Sequence, residues 1–197
     1  MNNSKEKMKK AIHSVNEQLQ IIRSNVEHLT IIADLDEESK KSLDNISNAV
    51  IECSMLINKE FLKLPQLPVD KVTTKNMLKL KNRNVRILII EDEDDLASLF
   101  SSNLDYFGLK TYAVSNFYDG LDIIEKEKID IVILDIMLPD AYGLDCIDTI
   151  LEKNESIKIV VVTGKIDELD KDLDYLKGKC SILTKPFSVR ALLAAML

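Results

Sequence analysis

The first eighty residues repeat apolar positions with a helical period. Met8, Ile12, Val15, Leu19, Ile22, Val26, Leu29 and Ala33 advance by alternating steps of four and three, a heptad stripe sustained over more than three heptads. The stretch "ADLDEES" breaks the stripe. Asp36 is placed there as an N-cap, with Glu37 and Glu38 in the first turn of a new helix. A second stripe runs through Leu43, Ile46, Val50, Cys53 and Ile57, widened by Ala49 and Leu56. The pattern predicts two antiparallel helices, at about 4–33 and 37–63, joined by a short turn. A lone hairpin of this kind leaves its wider apolar face open. Pairing two hairpins into a four-helix bundle covers that face, so the pattern also predicts a homodimer.

Pro65 and Pro68 close the second helix, and a Lys-rich linker occupies 65–84. From Val85 the rhythm changes. Apolar runs of strand length alternate with amphipathic helical stretches. Strands are predicted at about 86–90, 110–114, 130–134, 158–162 and 180–183. Helices are predicted at about 94–107, 117–127, 144–153, 167–176 and 188–197. Five β–α repeats imply a parallel sheet covered on both faces. The predicted fold is α + α/β: an N-terminal helical hairpin over 1–64, a linker over 65–84, and a five-stranded α/β unit over 85–197.

Composition narrows the classes. With 46% hydrophobic and 30% charged residues the chain is globular, and no apolar run is long enough to span a bilayer. The basic start is not followed by a compact apolar stretch, so it does not read as a secretory signal. Cys53, Cys146 and Cys180 are widely spaced without a CxxC, which suggests reduced thiols and no zinc site. Together these features predict a cytoplasmic protein. The net charge of −7 is unevenly shared: residues 1–83 carry 14 Lys and Arg against 11 Asp and Glu, residues 84–197 carry 12 against 22. The acidic half predicts no direct contact with nucleic acid and is compatible with a cation site.

Sites in open α/β sheets form at the carboxyl ends of the strands, near the switch point in strand order. Glu91, Asp92 and Glu93 follow the first apolar run, Asp135 the third, Thr163 and Gly164 the fourth, Lys185 and Pro186 the fifth. A single Asp after a strand is commonly an N-cap, but acids, Thr and Lys-Pro at four such ends are not all caps. Like charges at ~4 Å repel by roughly 4 kcal/mol at an effective dielectric near 20. Glu91, Asp92 and Asp135 therefore call for a cation. Oxygen ligands favour Mg²⁺ over zinc, with the Met137 backbone carbonyl as a further donor. Asp135 can act as a nucleophile toward a phosphoryl group. The metal and Lys185 would neutralise that group, and the Thr163 hydroxyl would hold its oxygens.

The stretches "VRILIIEDEDD", "IDIVILDIMLPDAYGLD", "VVVTGK" and "LTKPF" resemble the receiver domain of two-component response regulators, in order and with family spacing. The resemblance implies a flavodoxin-like sheet of order 2-1-3-4-5. It implies Glu91 and Asp92 as the acid pair, Asp135 as phospho-acceptor, Thr163 as switch hydroxyl and Lys185 as phosphate-binding lysine. It also implies a sensor histidine kinase or phosphotransfer protein upstream and a protein partner downstream. Ile182 stands where many receivers carry an aromatic residue that moves with the Thr. The last predicted helix reaches Leu197, so the sequence as read predicts no DNA-binding output domain. A metal-dependent phosphatase with an Asp nucleophile would want a second Asp at the position of Met137. A dinucleotide-binding fold would want glycines in the acidic first turn.

"AIHSVNEQLQIIRSNVEHL" and "LDNISNAVIECSMLINKEF" are similar to the dimerisation and histidine-phosphotransfer domain of sensor kinases. That similarity implies His13 as a phosphorylatable histidine, which the stripe predicts to be exposed, with Asn16 matching a family Asn. Ser14 and Glu17 depart from the family pattern, His28 reads as a solvated helix histidine, and nothing resembles an ATP-binding domain. The sequence predicts no phosphorylation from ATP. It predicts phosphate on Asp135, with either exchange to His13 across a linker reaching up to ~65 Å or a hairpin that only docks a partner.

Overall fold

Five short apolar runs become strands in the computed structural model, which describes residues 2–61, 84–141, 143–164, 176 and 178–197. They are β1 (Arg86–Ile90), β2 (Lys110–Val114), β3 (Ile131–Asp135), β4 (Lys158–Thr163) and β5 (Cys180–Thr184). All neighbours pair in parallel, in the order β2-β1-β3-β4-β5. Between them lie α3 (Asp94–Tyr106), α4 (Phe117–Lys126) and α5 (Gly143–Lys153), and α6 (Val189–Ala195) follows β5. All but the last residue of the helix expected at 167–176, the last two residues of the helix expected at 37–63, and most of the 65–84 linker fall outside the described residues.

Side chains alternate between the two faces of each strand. Ile87, Ile89, Ile131, Ile133, Val160 and Val162 join Leu96, Phe100 and Leu104 of α3 and Leu192 and Leu193 of α6 in one core layer. Leu88, Ile90, Val132, Leu134, Ile159 and Val161 pack with Phe117 of α4 and Cys146, Ile147 and Ile150 of α5 in the other. Covering both faces is why the central strands β1, β3 and β4 read as near-continuous apolar runs, whereas the edge strands β2 and β5 are only partly buried. Two glycines permit the close turns. Gly108 has φ 72° in the α3–β2 turn, where its N–H donates to the Asp105 carbonyl at 2.8 Å. At Gly120 a Cβ would sit 2.6 Å from Cδ1 of Ile90, so glycine lets α4 lie directly on β1.

The N-terminal stripes form α1 (Asn2–Ile32) and α2 (Glu37–Phe61). Asp36 caps α2, its Oδ1 accepting the Ser39 N–H at 2.7 Å. The stripe on α1 does not share one environment. Ile12 and Val26 are buried, whereas Val15, Ile22 and Leu29, seven residues apart, are each more than 40% exposed. The polar side of α1 lies against the α/β unit: Asn16, Gln20, Arg23 and Ser24 are all buried. His28 corrects an expectation. It is partly buried, with Nδ1 3.2 Å from Oδ1 of the buried Asn103 on α3, and is not simply a solvated histidine. No described helix is long and apolar enough to cross a membrane.

Candidate functional site

The strand order reverses direction between β1 and β3, and the carboxyl ends of these two strands form the crevice. Asp135 is the last residue of β3 itself, paired in register with Val162, rather than the first residue after it. Glu91 directly follows β1 and is held by its N–H to the Val114 carbonyl at 3.1 Å. Thr163 ends β4, opposite Thr184 of β5. The Lys185 N–H reaches back to the Thr163 carbonyl at 2.7 Å, and the Lys185–Pro186 peptide is cis. The chain thus delivers Glu91, Asp135, Thr163 and Lys185 to one rim, all fully buried, with Asp92 exposed at the opening.

Glu91, Asp92 and Asp135 each offer a carboxylate oxygen within 4.8 Å of the other two. Lys185 Nζ lies between the inner pair. It donates to Asp135 Oδ2 at 2.6 Å and to Glu91 Oε2 and Oε1 at 2.9 and 3.1 Å. The other oxygen of Asp135, Oδ1, accepts the Met137 N–H at 2.7 Å. Burial pushes the Glu91 carboxyl up to about 8; Asp135 adds to the rise, and Lys185 opposes it. Burial and then the Asp135 charge raise Asp92. For Lys185, burial alone would lower the ammonium, but the Asp135 and Glu91 carboxylates reverse this and hold it above its ordinary value. Three converging acids against one internal cation, all oxygen donors, suit a hard divalent ion such as Mg²⁺. Burial pushes the Cys146 thiol up to about 12, and partial burial pushes that of Cys180 up to about 11, neither reading as a ligand or nucleophile.

His13 lies on α1, one turn before Asn16 and Glu17, and its side chain lies outside the described residues. The site also includes α1 residues that the apolar stripe did not single out. Asn16 Nδ2 reaches the Gly164 carbonyl at 3.4 Å, just past Thr163. Gln20, Arg23 and Glu27 bond the segment after Lys185. Glu17 stands close enough that its charge, after burial, raises Glu93, and it adds a small upward push on Asp92. The signal was available: Asn16, Gln20, Arg23 and Glu27 repeat at steps of four, three and four, a polar stripe with the same period as the apolar one.

The family model for the response regulator receiver domain matches residues 87–197, more than half of the chain. The fold is shared with solved structures. A response regulator receiver domain protein from Clostridium thermocellum is 27% identical, with a TM-score of 0.53; the match covers 57% of this chain and 90% of that one. A CheY-like receiver domain protein from Methanospirillum hungatei JF-1 is 26% identical, with a TM-score of 0.52, covering 56% and 88%. A two-component response regulator from Clostridium difficile is 26% identical, with a TM-score of 0.51, covering 56% and 90%.

Proposed function

Because this chain belongs to the response regulator receiver domain family, we propose that it is a phosphorelay protein of two-component signalling whose Asp135 accepts a phosphoryl group from a partner phosphohistidine. The observation that carries the reading is the buried Lys185 ammonium bonded to both Asp135 and Glu91 beside Asp92. A carboxylate oxygen of Asp135 attacks phosphorus, the P–N bond breaks, and the imidazole leaves with that electron pair. Lys185, bonded to Asp135 Oδ2, faces the place where charge gathers on the transferred group, and the Thr163 hydroxyl would hold one of its oxygens. Mg²⁺, held by Glu91, Asp92, Asp135 and the Met137 carbonyl, would supply the remaining neutralising charge. Incubation with Mg²⁺ and a small labelled acyl phosphate tests the proposal. The expected result is base-labile label approaching one phosphate per chain, and a wild type that takes up none sinks it.

Exchange with His13 is the second part of this reading. Its support is the course of α1, which bonds Gly164 and Phe187 at the rim with position 13 one turn upstream of Asn16. Label on His13 would be acid-labile, base-stable and absent from His13→Ala. Label confined to Asp135 would leave the hairpin as a docking element for a kinase or output protein.

The hairpin also supports a homodimer. Val15, Ile22, Leu29 and Ile32 on α1 and Ile46 and Leu56 on α2 are large, apolar and 43–60% exposed. Three of them fall at the spacing of a helix–helix seam. A second copy in a four-helix arrangement would bury them, and each such side chain, already about half covered, would gain roughly 0.7–1.5 kcal/mol. Ile22→Glu combined with Leu29→Glu is expected to weaken self-association by a hundredfold or more. Sedimentation velocity over a concentration series reads this, and unchanged mass for the double variant contradicts the seam.

A further inference from the structure

Gln20 belongs to α1, outside the five-stranded fold, yet its side chain is fully buried. Its amide holds one residue by both main-chain groups. The Phe187 N–H donates to Oε1 at 2.6 Å, and Nε2 donates to the Phe187 carbonyl at 3.1 Å. Nε2 also donates to Oγ of the buried Ser24 at 3.0 Å, which fixes the amide in the one orientation that satisfies all three contacts. Arg23 Nη1 donates to the Pro186 carbonyl at 3.4 Å, and Glu27 Oε2 accepts the Val189 N–H at 2.7 Å. Three side chains of α1 therefore hold the main chain of 186–189, the segment that directly follows Lys185.

We infer that Gln20 is a positioning residue for phosphoryl acceptance at Asp135: by clamping the Phe187 main chain it sets where the Lys185 ammonium stands between Glu91 and Asp135. The inference rests on the acceptor reading of Asp135. Lys185 has a long stem that could absorb a shift elsewhere, but here it is fully buried with its ammonium bonded to Asp135 and Glu91. Its N–H is tied to Thr163 on one side. On the other, the Phe187 ring is stacked on Phe100 at 5.5 Å, which anchors the side chain of the residue whose main chain Gln20 holds. Without Gln20, the Phe187 N–H and carbonyl lose their buried partners and turn to seek others. A displacement of about 1 Å at a reacting group costs as much as a hundredfold in rate.

The test compares initial labelling rates from a small acyl phosphate at saturating Mg²⁺, with amide hydrogen exchange at Phe187 and Val189 as a readout independent of phosphorylation. Gln20→Met keeps the volume and removes the amide. It is expected to speed exchange at Phe187 and to slow labelling about tenfold. Tyr106→Phe, which removes a different contact between α3 and α1 (Tyr106 hydroxyl to the Ile31 carbonyl, 3.3 Å), is expected to label at the wild-type rate. If Gln20 acts through Lys185, the Gln20→Met loss disappears in a Lys185→Met background; a general loss of stability would persist there. Wild-type labelling by Gln20→Met, or full additivity with Lys185→Met, overturns the inference. A wild type that takes up no label overturns the acceptor reading and this inference together, an outcome distinct from an indifferent Gln20→Met on a labelled protein.

Discussion

Asp135→Asn is expected to cut labelling by a small acyl phosphate on the order of a thousandfold or more, with the fold intact. Asparagine has the same shape and its Oδ1 can still accept the Met137 N–H now found at 2.7 Å; its Nδ2 no longer accepts from Lys185, which keeps Glu91 as partner. What it lacks is the negative oxygen that attacks phosphorus, and a neutral amide is a poor substitute. It also removes one of the three carboxylates that converge within 4.8 Å, so Mg²⁺ binding should weaken in the same variant. Chelating the metal from the wild type should abolish labelling as well, because the pocket's own carboxylates then face the incoming anion without a divalent charge. Label persisting at the wild-type level in Asp135→Asn would move the acceptor elsewhere, and its stability to base would show whether His13 holds it. Circular dichroism separates loss of chemistry from loss of fold.

Most of the α/β unit and its pocket can be read from local signals, since the central strands are short apolar runs and Glu91, Asp135 and Thr163 stand where those runs stop. The boundary errors are small and physical. β3 takes in Asp135, because a buried, cation-bonded carboxylate can end a strand within its hydrogen-bonded ladder. β4 and β5 each run one residue further than the apolar residues do, to Thr163 and Thr184, since β-branched polar residues pair as well as apolar ones at a strand end. The docking of α1 was not legible in the apolar stripe. Asn16, Gln20, Arg23 and Glu27 do repeat as a polar stripe, but such a stripe usually faces solvent, and only the partner surface shows that this one does not. Here that surface is a stretch of main chain with donors and acceptors to satisfy, which polar side chains suit better than apolar ones. His28 was misread for the same reason: its partner Asn103 is seventy-five residues away. The half-exposed apolar remainder, Val15, Ile22 and Leu29, is what the stripe contributes once α1 has used its other sides.

Lys185→Met is expected to destabilise the protein by about 3–5 kcal/mol and to do so more strongly as pH rises. Lys185 and its partners Glu91 and Asp135 are fully buried, so removing the ammonium leaves two carboxyl groups facing each other without their cation. The Glu91 carboxyl already stands at about 8 in the folded protein, against 4.5 ordinarily. Between those two values the folded chain keeps a proton that the unfolded chain has released, so stability falls as pH rises through that window. Lys185 opposes the upward shift of Glu91, and without it the shift grows, extending the window above pH 8. The difference between wild type and variant should therefore be smallest near pH 6 and widen from about 8 upward. The ammonium of Lys185 itself is held above its ordinary value of 10.5, so its stabilisation of the wild type is fully present across this range. Urea unfolding at pH 6, 7.5 and 9 with a chelator present measures the gap, and excess Mg²⁺ should recover part of the loss at pH 9 by restoring positive charge between the acids. A gap that is equal at all three pH values would mean that Lys185 does not hold the charge balance of the pocket.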